Sequence, residues 1–285
     1  MVLSGFGVLF VKKGIDSLAS YNPAGNLIFL QFVAILFKNK FWFIGGVFMI
    51  LSWLLRIIAV TMADLSYIRA ILDAHLLIVV IGSSLWIKER LTRSIIAATL
   101  IIVAGLVFLY LGPSLTRNPQ NDFSSLILFV IFFTVAGISI LIISLRFKNM
   151  QKFCFGICSA IFYANSVVVL AYFSINMLNI GNLLSISYYF WLLTQPILYF
   201  ILLFILLGFI FANLMINRFN LSIIYPISHP LSEIIVLLGS IFIFGDNISI
   251  TSDPFRFIAV SLTLAGLCIL SITNRNYLFF AKRRT

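Results

Sequence analysis

The sequence predicts an all-α integral membrane protein with ten transmembrane helices in two inverted five-helix repeats. Three observations predict it. Apolar runs long enough to cross a bilayer recur along the whole chain. Basic residues gather on alternate connections between those runs. The end of the first half can be laid over the end of the second with its landmarks in the same order.

Composition sets the class. Of 285 residues, 62% are hydrophobic and 9% charged, and the mean hydropathy is +1.15. A soluble domain carries about a quarter charged residues, so this chain has too little polar surface to live in water. The formal net charge of +11 reads as loop charge on the cytoplasmic side and not as a nucleic-acid surface. Cys154, Cys158 and Cys268 form neither a disulfide framework nor a zinc spacing. Cys154 and Cys158 share a helix face and read as small packing residues. The Met1 end lacks the basic n-region and small-residue cleavage site of a secretory signal.

A span needs about 20 predominantly apolar residues. Ten segments meet or approach that length: 1–18, 22–37, 41–62, 65–87, 94–112, 123–145, 152–176, 187–211, 221–244 and 256–276. The first carries Gly5, Gly7 and Gly14, which allow a neighbouring helix to come close. The second is short, held between Pro23 and Lys38. The third carries Arg56 and the fourth Arg69, Asp73 and His75. The fifth contains the pair Ala104-Gly105. The sixth opens the second half, and the seventh carries Tyr163 and Asn165. The eighth offers Tyr188, Tyr189, Trp191 and Gln195, with Pro196 expected part-way along it. The ninth holds Pro226, His229, Pro230 and Glu233, and the tenth Ala265-Gly266.

With the N-terminus in the cytoplasm, the even-numbered connections lie inside. They hold Lys38 and Lys40, then Lys88, Arg90 and Arg93, then Arg146, Lys148 and Lys152, then Arg218. The tail adds Arg275, Lys282, Arg283 and Arg284. The outer loops hold Asp64, Arg117, Asp122, Asp246, Asp253 and Arg256. Lys12 and Lys13, near the outer end of the first span, are the exception. The asymmetry predicts a multi-pass protein of the plasma (inner) membrane with both termini cytoplasmic.

Residues 65–92 superpose on 222–249, with Gly82 on Gly239, Ser83 on Ser240 and Glu89 on Asp246. After a four-residue slip, Ala104-Gly105 falls on Ala265-Gly266. An odd number of spans per half inverts the second half relative to the first, the pattern of many secondary transporters. The domains expected are 1–112, 123–279 and a basic tail over 280–285.

At this point the sequence resembles a known family. "YPISHPLSEIIVLLGSIFIFGD" (225–246), "FRFIAVSLTLAGLCILS" (255–271) and "GFGVLFVKKGI" (5–15) resemble the EamA-type drug/metabolite transporter superfamily. Lys13 falls on the family's first-helix lysine, and Phe6 stands where tryptophan is usual. Asp246 stands where the family has glutamate, and Arg69 where the first repeat has a small residue or proline. The resemblance implies ten helices in two inverted five-helix repeats around a central cavity. It implies transport and leaves the solute open.

Ionisable residues inside spans carry the functional expectation, because each costs several kcal/mol unless paired or facing water. At 1.5 Å of rise per residue, Arg69 lies about 7 Å and Asp73 about 13 Å below the outer end of the fourth span. His229 and Glu233 lie about 12 Å and 18 Å in from the inner end of the ninth, and Arg56 about 12 Å in from outside. Each repeat thus brings one carboxylate to mid-depth. Arg69 and Asp73, at i and i+4, either satisfy one another or leave Asp73 free for a proton or solute. Arg56 either serves the site or snorkels outward. His75 points away from Asp73 and reads as a packed polar residue.

The expected substrate-binding set is Lys13, Arg56, Arg69, Asp73, Tyr163, Asn165, Tyr189, Trp191, Gln195, His229 and Glu233, with Asp73 and Glu233 as candidates for proton coupling. The expected function is secondary active transport of a small polar metabolite by alternating access. A flippase for a lipid-linked sugar or other amphiphile is the alternative. An integral-membrane enzyme would want clustered acids, histidines or nucleophiles at one interface. The two histidines lie in different halves, so the chain is not expected to be an enzyme. The expected partners are a small-molecule or lipid-linked solute and membrane lipids, with no nucleic acid. The chain would act as a monomer or homodimer, with no cofactor and no metal.

Overall fold

A computed structural model describes residues 2–19, 36–62, 75–111, 123–146, 151–176, 191, 194–216, 220–244 and 254–282. Its helices are α1 (Val2–Ala19), α2 (Lys40–Met62), α3 (His75–Trp86), α4 (Arg93–Leu111), α5 (Phe123–Arg146), α6 (Gln151–Asn176), α7 (Pro196–Ile216), α8 (Leu221–Phe244) and α9 (Pro254–Lys282). Six of the expected segments return as α1, α2, α4, α5, α6 and α8 with ends within one residue. The last runs longer than expected, as α9. Of the fourth, the C-terminal half is described, as α3. The second lies outside the described residues but for its last two.

The eighth segment is corrected. Its helix is not 187–211 with a proline inside. Gln195 is non-helical and Pro196 is the first residue of α7. Proline is suited to that position, because the first amides of a helix have no intrahelical acceptor to lose. Pro226 and Pro230, by contrast, do lie inside a helix, and α8 runs through both.

Among the described residues, four helices are long and apolar enough to cross a membrane, over Phe123–Ser144, Phe153–Phe173, Pro196–Ile216 and Leu221–Ile243. Shorter apolar helices cover Lys40–Ser52, His75–Trp86, Arg93–Phe108 and Phe257–Thr273. The chain is therefore an all-helical membrane protein. In α5, Leu128, Ile131, Phe132, Val135, Ile138 and Ile142 all point outward. In water such a surface would be a liability, whereas in lipid it has no cost.

The chain divides into two compact units that cut across the sequence halves. The first comprises Met1–Ser114, Ile216–Pro230 and Ser249–Thr285, and the second Leu115–Met215 and Leu231–Ile248. Helix α8 passes from one to the other at Pro230.

In the first unit, α2 is seated on α1. Asn39 caps α2 by accepting from the amides of Phe41 and Trp42 at 3.0 and 3.2 Å. Its side-chain amide donates to the carbonyl of Gly14 at 3.3 Å and to Ser17 Oγ at 2.7 Å. A Cβ on Gly14 would stand 2.6 Å from the Trp42 nitrogen, so glycine sets this crossing distance.

Helices α4 and α9 cross in a reciprocal way. A Cβ on Gly105 would stand 2.5 Å from Thr263 Oγ1 and 2.8 Å from the Ala259 carbonyl. A Cβ on Gly266 would stand 2.5 Å from Ile102 Cγ1 and 2.9 Å from the Ala98 carbonyl. Thr263 and Ala259 precede Gly266 by three and seven residues, as Ile102 and Ala98 precede Gly105. The contact is therefore self-matched, each glycine meeting the residues three and seven positions before the other. Leu76, Val80, Ile95, Ile102, Ile223 and Leu270 close a core between α3, α4, α8 and α9.

In the second unit, α5, α6 and α7 pack through aromatic rings. Phe162 stacks on Phe211 with centroids 5.5 Å apart. Gly208 lets the ring of Tyr163 lie against the backbone of α7, with ring carbons 3.0–3.2 Å from where a Cβ would stand.

Candidate functional site

Polar groups in the first unit collect where α7 ends and α8 begins. Lys12, on α1, is 6% exposed. Its Nζ lies 2.8 Å from Asp16 Oδ1, one turn along α1, and donates to the carbonyl of Ile216 at 3.0 Å. That carbonyl belongs to the last turn of α7, where a cation also complements the helix dipole.

The start of α8 is held from the other side. The amide of Glu89 folds back onto the Ser83 carbonyl at 3.1 Å, which also takes the amide of Ile87 at 3.2 Å. Lys88 makes this reversal with a φ of 63°, the left-handed conformation common just past a helix end. The turn aims Glu89 at α8, where its two carboxylate oxygens accept from the amides of Leu221 and Ser222 at 2.7 and 2.8 Å. These are the first two helical amides, which lack intrahelical acceptors. An anion there is also favoured by the dipole. The Ser222 hydroxyl is fully buried and has no hydrogen-bond partner.

One to two turns further along α8 lie three rings. His75, at the start of α3, is 2% exposed. Its Nε2 shares a 2.9 Å hydrogen bond with the Tyr225 hydroxyl. Its ring meets that of His229 nearly at right angles, centroids 4.8 Å apart. Tyr225 and His229, at i and i+4, lie parallel at 6.1 Å. Both histidines of the chain thus sit in one cluster.

The second unit has its own polar interior. Asn165 is fully buried. It donates to Thr134 Oγ1 at 3.2 Å, and its Oδ1 has no partner. Ser159 donates to the Gly208 carbonyl at 3.0 Å, and Asn213 to that of Phe209 at 2.7 Å. Glu233 is 8% exposed. Cys158, on α6, donates to the Gly137 carbonyl at 3.4 Å, as a packing cysteine can.

The expected site residues distribute as follows. His229 stands in the cluster just described, within the first unit. Glu233 follows it on α8 but belongs to the second, as do Tyr163 and Asn165. Lys13 stands over the rings of Phe41 and Trp86, 4.8 Å from each centroid, a cation–π arrangement. Trp191 is 41% exposed. Gln195 lies 3.5 Å from the Trp191 carbonyl and from Thr194 Oγ1. Arg56 lies on α2, its side chain outside the described residues. Arg69, Asp73 and Tyr189 lie wholly outside them.

Sequence reasoning missed Tyr225 and the role of Glu89, and it did not see what His75 packs against. The pairing of histidines 154 positions apart has no local signature. Glu89 had one, since it is the acidic landmark aligned with Asp246. Lys12 was noticed, but no spacing distinguishes it from Lys13. The structure places Lys12 in the interior and Lys13 on the aromatic surface. Among the described residues no group of three or more histidine, cysteine, aspartate or glutamate side chains could hold a metal ion.

In comparisons with known proteins, no family model, curated protein or solved structure matches the chain.

Proposed function

We propose that the protein is a secondary active transporter moving a small polar solute by alternating access. The observation that carries this reading is the burial of Lys12, His75 and Glu233, each at most 8% exposed, in apolar helices. Ionisable groups inside a membrane are costly, and where they occur they mark solute or ion pathways. The reciprocal crossing of Gly105 and Gly266 supports two inverted five-helix repeats. A central cavity, as in the EamA-type drug/metabolite transporters that the sequence resembles, follows from that architecture. Alternating loop charge supports a plasma-membrane protein with both termini cytoplasmic. Protons are the coupling ion in this reading, with Glu233 and Asp73 as the mid-depth carboxylates. A flippase would draw on Arg56 and Arg69, and no described contact favours it.

The test is uptake into proteoliposomes of radiolabelled amino acids, nucleosides and sugars under an imposed pH gradient. At least one should accumulate, and Glu233→Gln should abolish gradient-driven uptake while unfolding at an unchanged temperature. No accumulation of any of them, or full uptake by Glu233→Gln, would count against the reading.

A further inference from the structure

We propose that His75, Tyr225 and His229 form a binding site for a single proton, and that the carrier holds a coupling proton there besides the one assigned to its mid-depth carboxylates. The second half of the proposal rests on the transport reading. The first half stands on geometry.

Two imidazoles with centroids 4.8 Å apart cannot both be charged cheaply. At that distance two unit charges repel by about 3 kcal/mol at an effective dielectric of 20. The pair therefore takes one proton across the range where histidine titrates, and its members titrate as a unit. The phenol decides how that proton is held. With His75 neutral, Nε2 can accept from the Tyr225 hydroxyl. With His75 charged, Nε2 must donate, and the Tyr225 oxygen becomes the acceptor. The tyrosyl proton must then turn away from His75. From the tautomer in which Nε2 accepts, protonation thus reverses the polarity of the 2.9 Å hydrogen bond that ties α3 to α8.

Helix α8 is suited to respond there. Pro226 and Pro230 flank His229 inside the helix, and each removes a backbone donor. The carbonyls of Ser222 and Pro226 lose the amides that would bond them, so this stretch has fewer backbone bonds to resist a change at Tyr225.

Among the described residues of the first unit, the other charged groups on the surrounding elements are engaged elsewhere or exposed. On α1, Lys12 bonds Asp16 and the Ile216 carbonyl, and Lys13 lies over two rings. After α3, Glu89 holds the α8 amides, and Lys88 and Arg90 are exposed. On α4, Arg93 is exposed, and on α9 the side chains of Arg256, Arg275 and Lys282 lie outside the described residues. Asp73 precedes His75 by two positions, outside the described residues, and Glu233 follows His229 by four on α8, in the second unit.

Because the chain has two histidines, imidazole 15N labelling reads this site alone. The purified full chain in lipid nanodiscs would be titrated from about pH 5 to pH 8, the range in which histidine changes charge. One proton should be taken up per chain, with both rings moving on a shared curve. His229→Gln should leave one ring titrating alone, and Tyr225→Phe should change the tautomer signal of His75. Uptake of two independent protons, or of none, would overturn the site, and this reading needs no folded variant. The coupling assignment is read separately with the radiolabelled amino acids, nucleosides and sugars in proteoliposomes. In the His75→Gln/His229→Gln variant, acceleration of uptake by the pH gradient should fall by a larger factor than exchange without a gradient, whereas unchanged acceleration overturns the assignment. If the wild-type chain moves none of these solutes, the transport reading and the coupling assignment fall together. The proton count then still decides the site.

Discussion

Lys12 Nζ donates to the carbonyl of Ile216 at 3.0 Å, across 204 positions of sequence. With the Asp16 carboxylate beside it, the ammonium neutralises a charge and satisfies the end of α7. The two ways of breaking this arrangement are unequal. Lys12→Met leaves a half-exposed carboxylate that water can reach and a carbonyl without its donor, at a cost of about 1–2 kcal/mol. Asp16→Asn leaves the buried ammonium its hydrogen bonds but removes its neutralising charge, at a cost of about 3 kcal/mol. Thermal unfolding in detergent should rank Asp16→Asn as the less stable. The reverse order would mean that Lys12 is better hydrated than its burial indicates.

Glu89 is an N-cap supplied from another element. Glu89→Ala should cost about 1–2 kcal/mol, the range for losing a cap, and Glu89→Gln less, since one acceptor oxygen remains. Hydrogen exchange should locate the change at the amides of Leu221 and Ser222, with the rest of α8 unaffected. Lys88 offers the opposite sign. A lysine at φ 63° carries a left-handed penalty of about 1 kcal/mol that glycine lacks, so Lys88→Gly should raise the unfolding temperature. A fall would show that the lysine side chain has a role outweighing that strain.

The crossing of α4 and α9 should fail symmetrically. Gly105→Val and Gly266→Val each force a side chain into backbone less than 3 Å away. Each should destabilise by about 1–3 kcal/mol, the usual range for overpacking. The double variant should cost less than the sum, because one opened crossing relieves both clashes. Denaturation of the two single variants and the double completes the cycle. Full additivity would show that the two contacts are independent.

Most of the helices were legible because lipid demands long uninterrupted apolar runs, and such runs are plain in sequence. Helix α8 was predicted to the residue. The start of α7 was not, because the run from 187 to 211 is apolar on both sides of Pro196, and hydropathy does not tell a proline that opens a helix from one that kinks it. The Ala104-Gly105 and Ala265-Gly266 landmarks could be matched to one another in the sequence, while their meeting at one crossing is a tertiary fact. The candidate site was legible in its residue types more than in its groupings. His229 and Glu233 stand out as polar residues in an apolar helix. That His229 meets His75 and Tyr225 depends on how α3 packs against α8, which no spacing encodes.

Asn165 separates a structural role from a functional one. Its Oδ1 is buried without a partner, which costs about 1–3 kcal/mol. If packing were its purpose, a residue of similar size without that oxygen would serve at least as well. Asn165→Leu removes the orphaned acceptor and gives up one 3.2 Å bond to Thr134, so stability should be unchanged or slightly higher. Under the proposed transport reading, an unpartnered interior acceptor has a use when a solute brings a donor, such as an ammonium or hydroxyl group. Uptake of an ammonium- or hydroxyl-bearing solute should then fall about tenfold or more, the loss of a hydrogen bond worth about 1.4 kcal/mol. Asn165→Asp keeps the acceptor and should retain more of the uptake. A variant pair in which stability falls and relative uptake is equal would return Asn165 to a packing role.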